Sequence, residues 1–368
     1  MKQTRLNIIT KTEKYPIIIG SNLTSSVSKI FKLNSIDFDK CLIVADKSVP
    51  KKFISNIKES LKNKKIFVLF FKASEKNKSI KSANKILEIL LNKNFSRNDV
   101  LISLGGGITG DVSGFAASLF KRGLKFINIP TTLLAQVDSS IGGKTGVNSN
   151  YGKNLIGSFY QPSLVVSDIQ FLNSLSKREI ICGYGEILKH SLINNKKFFN
   201  FLNKNLKKIL NLSSPFIEKA IYESCKIKKI IVEKDEKETG LRKVLNFGHT
   251  FAHAYEAGLG YSRKLNHGEA VILGMRTALS FSLNENIMSK NEYNFIINHI
   301  DNSSIPSSVR KYFSLKDLNK ILSFMIKDKK NNSEKINLVL LKKIGKPTFN
   351  KQYSKKKLSS FLKKFLTN

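Results

Sequence analysis

The sequence predicts an α/β amino-terminal domain with a doubly wound, mostly parallel sheet (residues 1–175), followed by a mainly α-helical carboxy-terminal domain (residues 176–368). Three observations predict it. Short apolar, β-branched runs alternate with stretches of helical spacing through the first half, the rhythm of strand–helix–strand units. Near residue 175 that rhythm changes: Ser176-Lys-Arg-Glu179 reads as a capping box, and beyond it the periodicity is mostly helical. Finally, 13 of the 21 glycines lie between Gly105 and Gly185, so backbone freedom is concentrated where a ligand is expected to approach the main chain. With 368 residues, 41% of them hydrophobic, the chain is long enough to bury two cores.

The strand-like runs are Tyr15 to Ile19, Cys41 to Ala45, Ile66 to Phe71, Val100 to Leu104, Phe126 to Ile129 and Leu164 to Val166. Each is short enough for a buried strand. Between them, Val49 to Leu61 and Ile80 to Leu91 have helical spacing; in the second, Ile80, Ala83, Ile86, Leu87, Leu90 and Leu91 trace one face. The second domain carries one strand-like run, Ile336 to Leu341.

Lys plus Arg number 63 against 27 Asp plus Glu, a net charge of +36, which raises the question of nucleic acid. The excess is diffuse. Its longest uninterrupted run is Lys355-Lys-Lys357, and no ladder of aromatic and basic residues suited to stacking bases accompanies it. The abundance of Lys, Asn and Ile throughout reads as composition, and no nucleic-acid partner is expected. Cys41, Cys182 and Cys225 cannot complete a disulfide framework and form no C-x-x-C pair. Met1 to Gly20 alternates charged and apolar residues, and no uninterrupted apolar run of about 18 residues follows. A soluble, cytoplasmic protein without a membrane partner is expected.

Three segments carry chemistry. The first is Leu101-Ile-Ser-Leu-Gly-Gly-Gly-Ile-Thr-Gly-Asp111, a strand running through glycines into a helix-like stretch, an arrangement that turns amides and a helix N-terminus toward a pyrophosphate. It is neither G-x-G-x-x-G nor a P-loop. The second runs from Ile129 through Pro-Thr-Thr-Leu-Leu-Ala-Gln-Val-Asp-Ser-Ser-Ile-Gly-Gly-Lys-Thr-Gly-Val to Asn148, then Gly152-Lys-Asn-Leu-Ile-Gly157. It reads as a binding loop in which Lys144, Lys153 and Asn154 hold phosphate oxygens. The third is metal-like: His190, His249, His253 and His267, four of five histidines, fall within 78 residues alongside the string Gly183-Tyr-Gly-Glu-Ile-Leu-Lys-His190. His249 and His253 share a helix face at i, i+4, and two or three imidazoles with one carboxylate suit a catalytic Zn²⁺. Thr250 after His249 rules out the zincin pattern. Arg242, seven residues before His249, is suited to gripping a carboxylate.

These strings, with Asn246-Phe-Gly-His-Thr-Phe-Ala-His253 and His267-Gly-Glu-Ala-Val271, resemble the 3-dehydroquinate synthase family of sugar phosphate cyclases from about Glu75 to Lys330. The resemblance implies metal ligands at Glu186, His249 and His267, with Zn²⁺ or Co²⁺, leaving His253 unliganded, either behind the ligands or handling protons. NAD contacts fall on Glu75, Lys78, Gly107, Ile108, Thr109, Gly110, Asp111, Thr131, Thr132, Asp138, Lys144, Lys153, Phe171, Leu172, Asn173 and Ser174. Substrate contacts fall on Lys144, Asn154, Lys189, Lys228, Arg242, Asn246 and one of Lys329 and Lys330, and Arg122 is expected to reach across a homodimer interface. Lys189, Arg242, Asn246 and His253 are implied to act in the chemistry. The first domain then binds NAD and the second binds metal and substrate.

The implied reaction converts 3-deoxy-D-arabino-heptulosonate 7-phosphate to 3-dehydroquinate and phosphate, by transient oxidation, phosphate elimination, re-reduction, ring opening and aldol closure. Two departures from the family pattern stand out: Ala73-Ser74-Glu75 where Asp-Gly-Glu is usual, and Ala252 where glycine is common. The competing readings are a deoxy-inosose or valiolone cyclase, against which Lys228 and Arg242 favour a carboxylated substrate, and a metal-dependent polyol dehydrogenase.

Overall fold

The computed structural model describes residues 3–262, 264–302, 308–327 and 335–367, without the side chains of 349 and 350. The backbone groups into two compact units, Met1–Ile180 with Ile221–Lys237, and Ile181–Ala220 with Glu238–Asn368.

The first unit contains β1 (Thr4–Ile9), β2 (Lys14–Gly20), α1 (Val27–Leu33), β3 (Lys40–Asp46), α2 (Lys51–Ser60), β4 (Lys65–Phe71), α3 (Ile80–Asn92), β5 (Val100–Gly105), α4 (Gly107–Leu119), β6 (Lys125–Pro130), β7 (Lys144–Ser149), β8 (Gly152–Phe159) and β9 (Leu164–Asp168). Seven strands form one sheet in the order β1-β2-β9-β6-β5-β3-β4, parallel except for the β1–β2 hairpin. All six residues of β5 are buried, because helices cover both faces of a central parallel strand and remove the need for alternation. On one face Val27, Phe31, Phe53 and Ile57 pack with Ile43 and Ile102. On the other, Ala83, Ile86, Leu90, Val112 and Phe115 pack with Leu42 and Leu101. The sheet is doubly wound and mostly parallel, as the strand–helix rhythm predicts.

Two strand pairs depart from the sequence reading. β1, which carries no continuous apolar run, pairs in full register with β2, from Thr4↔Ile19 to Ile9↔Lys14. The stretch read as a binding loop contains the β7–β8 hairpin, Lys144↔Phe159 through Ser149↔Gly152. Gly146 and Gly157 face each other in it, and a Cβ on Gly146 would lie 2.6 Å from the Ile156 carbonyl. Close strand approach thus selected glycines that read, in sequence, as loop.

The second unit is built on α5 (Lys177–Asn194, from Ile181 onward), α6 (Lys196–Leu210), α8 (His249–Gly258), α9 (His267–Asn284), α10 (Lys290–Asp301), α11 (Leu318–Lys327) and α12 (Lys355–Thr367), with the hairpin β10 (Lys335–Lys343) and β11 (Lys346–Ser354). Between α6 and α8 runs α7 (Phe216–Lys234), whose residues from Ile221 belong to the first unit. Helix α9 is the axis of the second unit, buried along most of its length. Two of its glycines set how closely its neighbours lie: a Cβ at Gly268 would overlap the Cys182 backbone of α5, and one at Gly274 the Gly248 carbonyl at the start of α8. Phe281 of α9 meets Tyr353 of β11 and Phe361 of α12, with ring centroids 4.9 Å apart in both pairs. The polar strand β11 is held by that packing and has no apolar pattern of its own to betray it.

Candidate active site

In the first unit β5 runs through Gly105 and Gly106 into α4, whose N-cap, Gly106, has no side-chain cap. The first-turn amides of α4 are therefore not satisfied by a capping side chain and can take an anion. Gly105, Gly106 and Gly107 need no left-handed backbone. They are needed for space: a Cβ on Gly105 would lie 2.6 Å from Thr109 Oγ1, and one on Gly107 3.0 Å from Ser139 Oγ. Thr109 and Gly110 are buried, Ile108 and Asp111 half-buried. Asp111 Oδ2 accepts a hydrogen bond from Lys78 Nζ at 2.5 Å. Burial pushes the Asp111 carboxyl above the usual carboxylate range, against the opposing pull of the Lys78 ammonium. Thr131 N donates to the Gly105 carbonyl at 3.0 Å, and Thr132 Oγ1 accepts from Ala135 N at 3.2 Å, which fixes the turn after β6 beside the glycines.

Lys228, on the part of α7 in this unit, is 5% exposed and donates to both the carbonyl and Oδ1 of Asp138, at 2.6 and 2.7 Å. Lys153 pairs with Glu75 at 3.2 Å. Asn148 joins these groups: its Nδ2 donates to Glu75 Oε2 at 2.8 Å, its N donates to the Lys78 carbonyl at 2.8 Å, and its Oδ1 accepts from Asn154 N at 3.0 Å. The sequence reading passed over Asn148, since one asparagine in a polar, glycine-rich run looks like its neighbours. Asn154 and Arg122 both adopt left-handed backbone, at φ 55° and 65°, a conformation that asparagine tolerates better than arginine does. Lys144 and Arg122 are exposed. The side chains of Phe171 and Leu172 lie in the core, with Phe171 against Phe53 at 4.2 Å, while Asn173 and Ser174 are exposed. Ser74, where glycine is usual, has no positive φ, and its carbonyl accepts from Asn77 N and Lys78 N, so the substitution costs no strain.

In the second unit three helices converge. Glu186 of α5 is 1% exposed, and Lys189 one turn on is 2% exposed and in contact with its Oε2. Oε1 has no hydrogen-bond partner among the described residues. It faces His249 Nε2 at 3.6 Å, beyond hydrogen-bond range. His249 opens α8 behind Gly248, which has φ 81° and room for no side chain, because a Cβ would lie 2.7 Å from Met275 Cγ. His267 opens α9 behind a capping box of Asn266 and Glu269. One ligand atom from each of Glu186, His249 and His267 lies within 4.8 Å of the others. His253 stands outside that group, its ring 5.4 Å from His249 and 6.3 Å from His267. His190 is wholly buried. Arg242 is buried in the turn before α8, and Asn246 Nδ2 donates to Glu238 Oε1 at 2.9 Å. Lys329 and Lys330 lie outside the described residues.

The donor set fits a divalent cation. A buried carboxylate oxygen without a hydrogen bond is costly unless something positive completes it. Two donors each about 2.0–2.1 Å from a tetrahedral ion sit roughly 3.3 Å apart, close to the observed spacing. Burial, reinforced by Lys189, His253 and His267, holds the His249 imidazole well below its ordinary range, in the neutral form a ligand needs. Burial is the largest influence on His267 and would lower it, but the Glu256 and Glu186 carboxylates together turn the net shift upward. The fit for a dinucleotide is of another kind: first-turn amides of α4 without a capping side chain, glycines where a Cβ would crowd Thr109, Thr132 and Ser139, and the Lys78–Asp111 pair beside them.

A family model described as the 3-dehydroquinate synthase N-terminal domain matches residues 68–182, and one for the C-terminal domain matches residues 183–331. A 3-dehydroquinate synthase of Pelagibacter ubique (strain HTCC1062) is 63% identical over 363 residues, 99% of each chain. One of Alkaliphilus metalliredigens (strain QYMF) is 40% identical, covering 91% of this chain and 92% of that one. Among solved structures, a 2-deoxy-scyllo-inosose synthase complexed with carbaglucose-6-phosphate, NAD⁺ and Co²⁺ superposes with a TM-score of 0.89 at 25% identity, over 99% of this chain and 100% of the other.

Proposed function

The chain belongs to the 3-dehydroquinate synthase family, and on that premise we propose that Glu186, His249 and His267 hold its divalent metal and that the glycine-rich segment after β5 holds its NAD. The enzyme converts 3-deoxy-D-arabino-heptulosonate 7-phosphate to 3-dehydroquinate and phosphate, a phosphate-eliminating lyase reaction that depends on both cofactors. The observation that carries the site assignment is the buried, incompletely bonded Glu186 carboxylate facing two imidazoles from separate helices.

When bound, NAD takes and returns a hydride at a secondary alcohol, and the metal, as a Lewis acid, lowers the pKa of that hydroxyl. The chain's own residues supply binding, charge and proton handling. Glu75, Lys78, Asp111, Thr131, Thr132, Asp138, Lys153 and the exposed Asn173 and Ser174 orient the dinucleotide. Lys144, Asn154, Lys228 and Arg122 grip phosphate and carboxylate oxygens, and Lys189, Arg242 and Asn246 orient the rest of the substrate. His253, outside the ligand group, moves the proton of the reacting hydroxyl. Lys189 offsets the negative charge of Glu186 and keeps that carboxylate buried. The departing phosphate serves as base for the elimination, so the cationic residues need only position it.

A division at residues 175 and 176 would give an NAD-binding first part and a metal- and substrate-binding second part; the compact units differ from it, because Ile221–Lys237, with Lys228, groups with the first. Residues Leu119, Tyr151, Leu155 and Phe159 around the β7–β8 hairpin are exposed and apolar. A second copy of the chain would cover them, and Arg122, just beyond α4, would serve that second copy's site. Sedimentation should give twice 41.5 kDa. The three cysteines are unpaired, which agrees with a reducing cytoplasm.

The decisive assay supplies NAD⁺, Zn²⁺ and the heptulosonate phosphate. Phosphate release without accumulation of NADH is expected. Steady NADH build-up would point to a polyol dehydrogenase, and no phosphate above a heat-killed control would refute the reading.

A further inference from the structure

We propose that Glu256 is a positioning residue of the metal centre: its carboxylate accepts a hydrogen bond from His267 Nδ1–H, fixes the tautomer and aim of that imidazole, and leaves Nε2 to the cation. The inference rests on reading Glu186, His249 and His267 as ligands.

Helix α8 places His249, His253 and Glu256 at i, i+4 and i+7, on one face. Glu256 is 8% exposed, and its Oε2 lies 3.1 Å from His267 Nδ1, at the first residue of α9. The other ligand histidine is held differently. His249 Nδ1 is 3.3 Å from the Phe247 carbonyl, a main-chain group two residues away, and its side chain is 14% exposed. His267 has a side chain 36% exposed, so burial constrains it less and its aim depends more on the Glu256 bond. A carboxylate behind a ligand imidazole also makes the free nitrogen a stronger donor than a carbonyl does. Glu256 therefore supplies to His267 both the orientation that main chain and packing supply to His249 and a negative charge that they do not.

The test measures Co²⁺ binding to the metal-free full-length protein by chelator competition and by the visible d–d spectrum. The parent should bind one Co²⁺. Glu256→Gln, which keeps an acceptor oxygen but loses the charge, should bind about tenfold more weakly, and Glu256→Ala about 10- to 100-fold more weakly, both with shifted visible bands. Unchanged affinity and bands in Glu256→Gln overturn the proposal, and Glu256→Gln decides it alone should Glu256→Ala fail to fold. His267→Ala separates the two readings. If it binds Co²⁺ as the parent does, the ligand assignment falls; if it loses Co²⁺ while Glu256→Gln does not, only the role of Glu256 falls.

Discussion

The two units solve opposite problems. The first presents main chain: an uncapped helix, glycines where no Cβ fits, and lysines paired with carboxylates that all lie between Glu75 and Lys153 except for Lys228. The second presents side chains: a buried carboxylate and imidazoles from three helices, brought close by Gly268 and Gly274. A site made largely of backbone weakens by degrees when a flanking side chain changes and is lost when room is lost. A site made of buried charge is lost with any one donor.

The sharpest way to break that contrast is to remove one donor from each unit. His267→Ala should lose the metal and lower phosphate release by about 10³-fold or more, with the circular dichroism spectrum unchanged. Asp111→Asn should weaken NAD binding while a full equivalent of metal stays bound. Metal loss in both, or in neither, would erase the distinction.

Next in size is Gly248→Ala. At φ 81°, with Met275 Cγ 2.7 Å from the added Cβ, the substitution should cost ~3 kcal/mol, read by urea unfolding. A loss under 1 kcal/mol would mean that the start of α8 is not pinned as described.

The legibility of the two sites in the sequence follows the same contrast. The doubly wound sheet was readable because buried parallel strands are continuous apolar runs, and Gly105 to Asp111 was readable because its strand, turn and helix are contiguous. The convergence of Glu186, His249 and His267 was not readable from spacing: 63 residues separate the first two, and histidine spacing alone left four imidazoles as candidates. Only the likeness of Asn246 to His253 and His267 to Val271 to a known family chose among them. Asn148 and Glu256 stayed hidden because each acts by holding another residue, which local pattern does not record. Glu256, at i+7 from His249, had a helical-face signal that could have found it.

A smaller effect belongs to the second unit. His299 is buried between Tyr184 OH, 2.7 Å from its Nε2, and Asn203 Oδ1, 2.9 Å from its Nδ1, and burial pushes it down to about 4. A histidine lowered in the folded state contributes stability that is present above its unfolded pKa of about 6.5 and lost as pH falls through the folded value. Between pH 7 and pH 5 the metal-free parent should therefore lose ~2 kcal/mol more than His299→Gln. Parallel pH profiles would show that His299 is not buried neutral. The smallest effect is expected in the first unit: Asn148→Ala removes side-chain bonds to Glu75 and Asn154 and should raise the NAD dissociation constant about tenfold, ~1.4 kcal/mol, without changing metal content.

X-ray absorption at the zinc edge of the loaded enzyme tests the second unit most directly. Only nitrogen and oxygen neighbours are expected near 2.0–2.1 Å, with multiple scattering from two imidazoles. A sulfur near 2.3 Å, or scattering from three imidazoles, would contradict it, by bringing in Cys182 or His253 where Glu186, His249 and His267 should suffice.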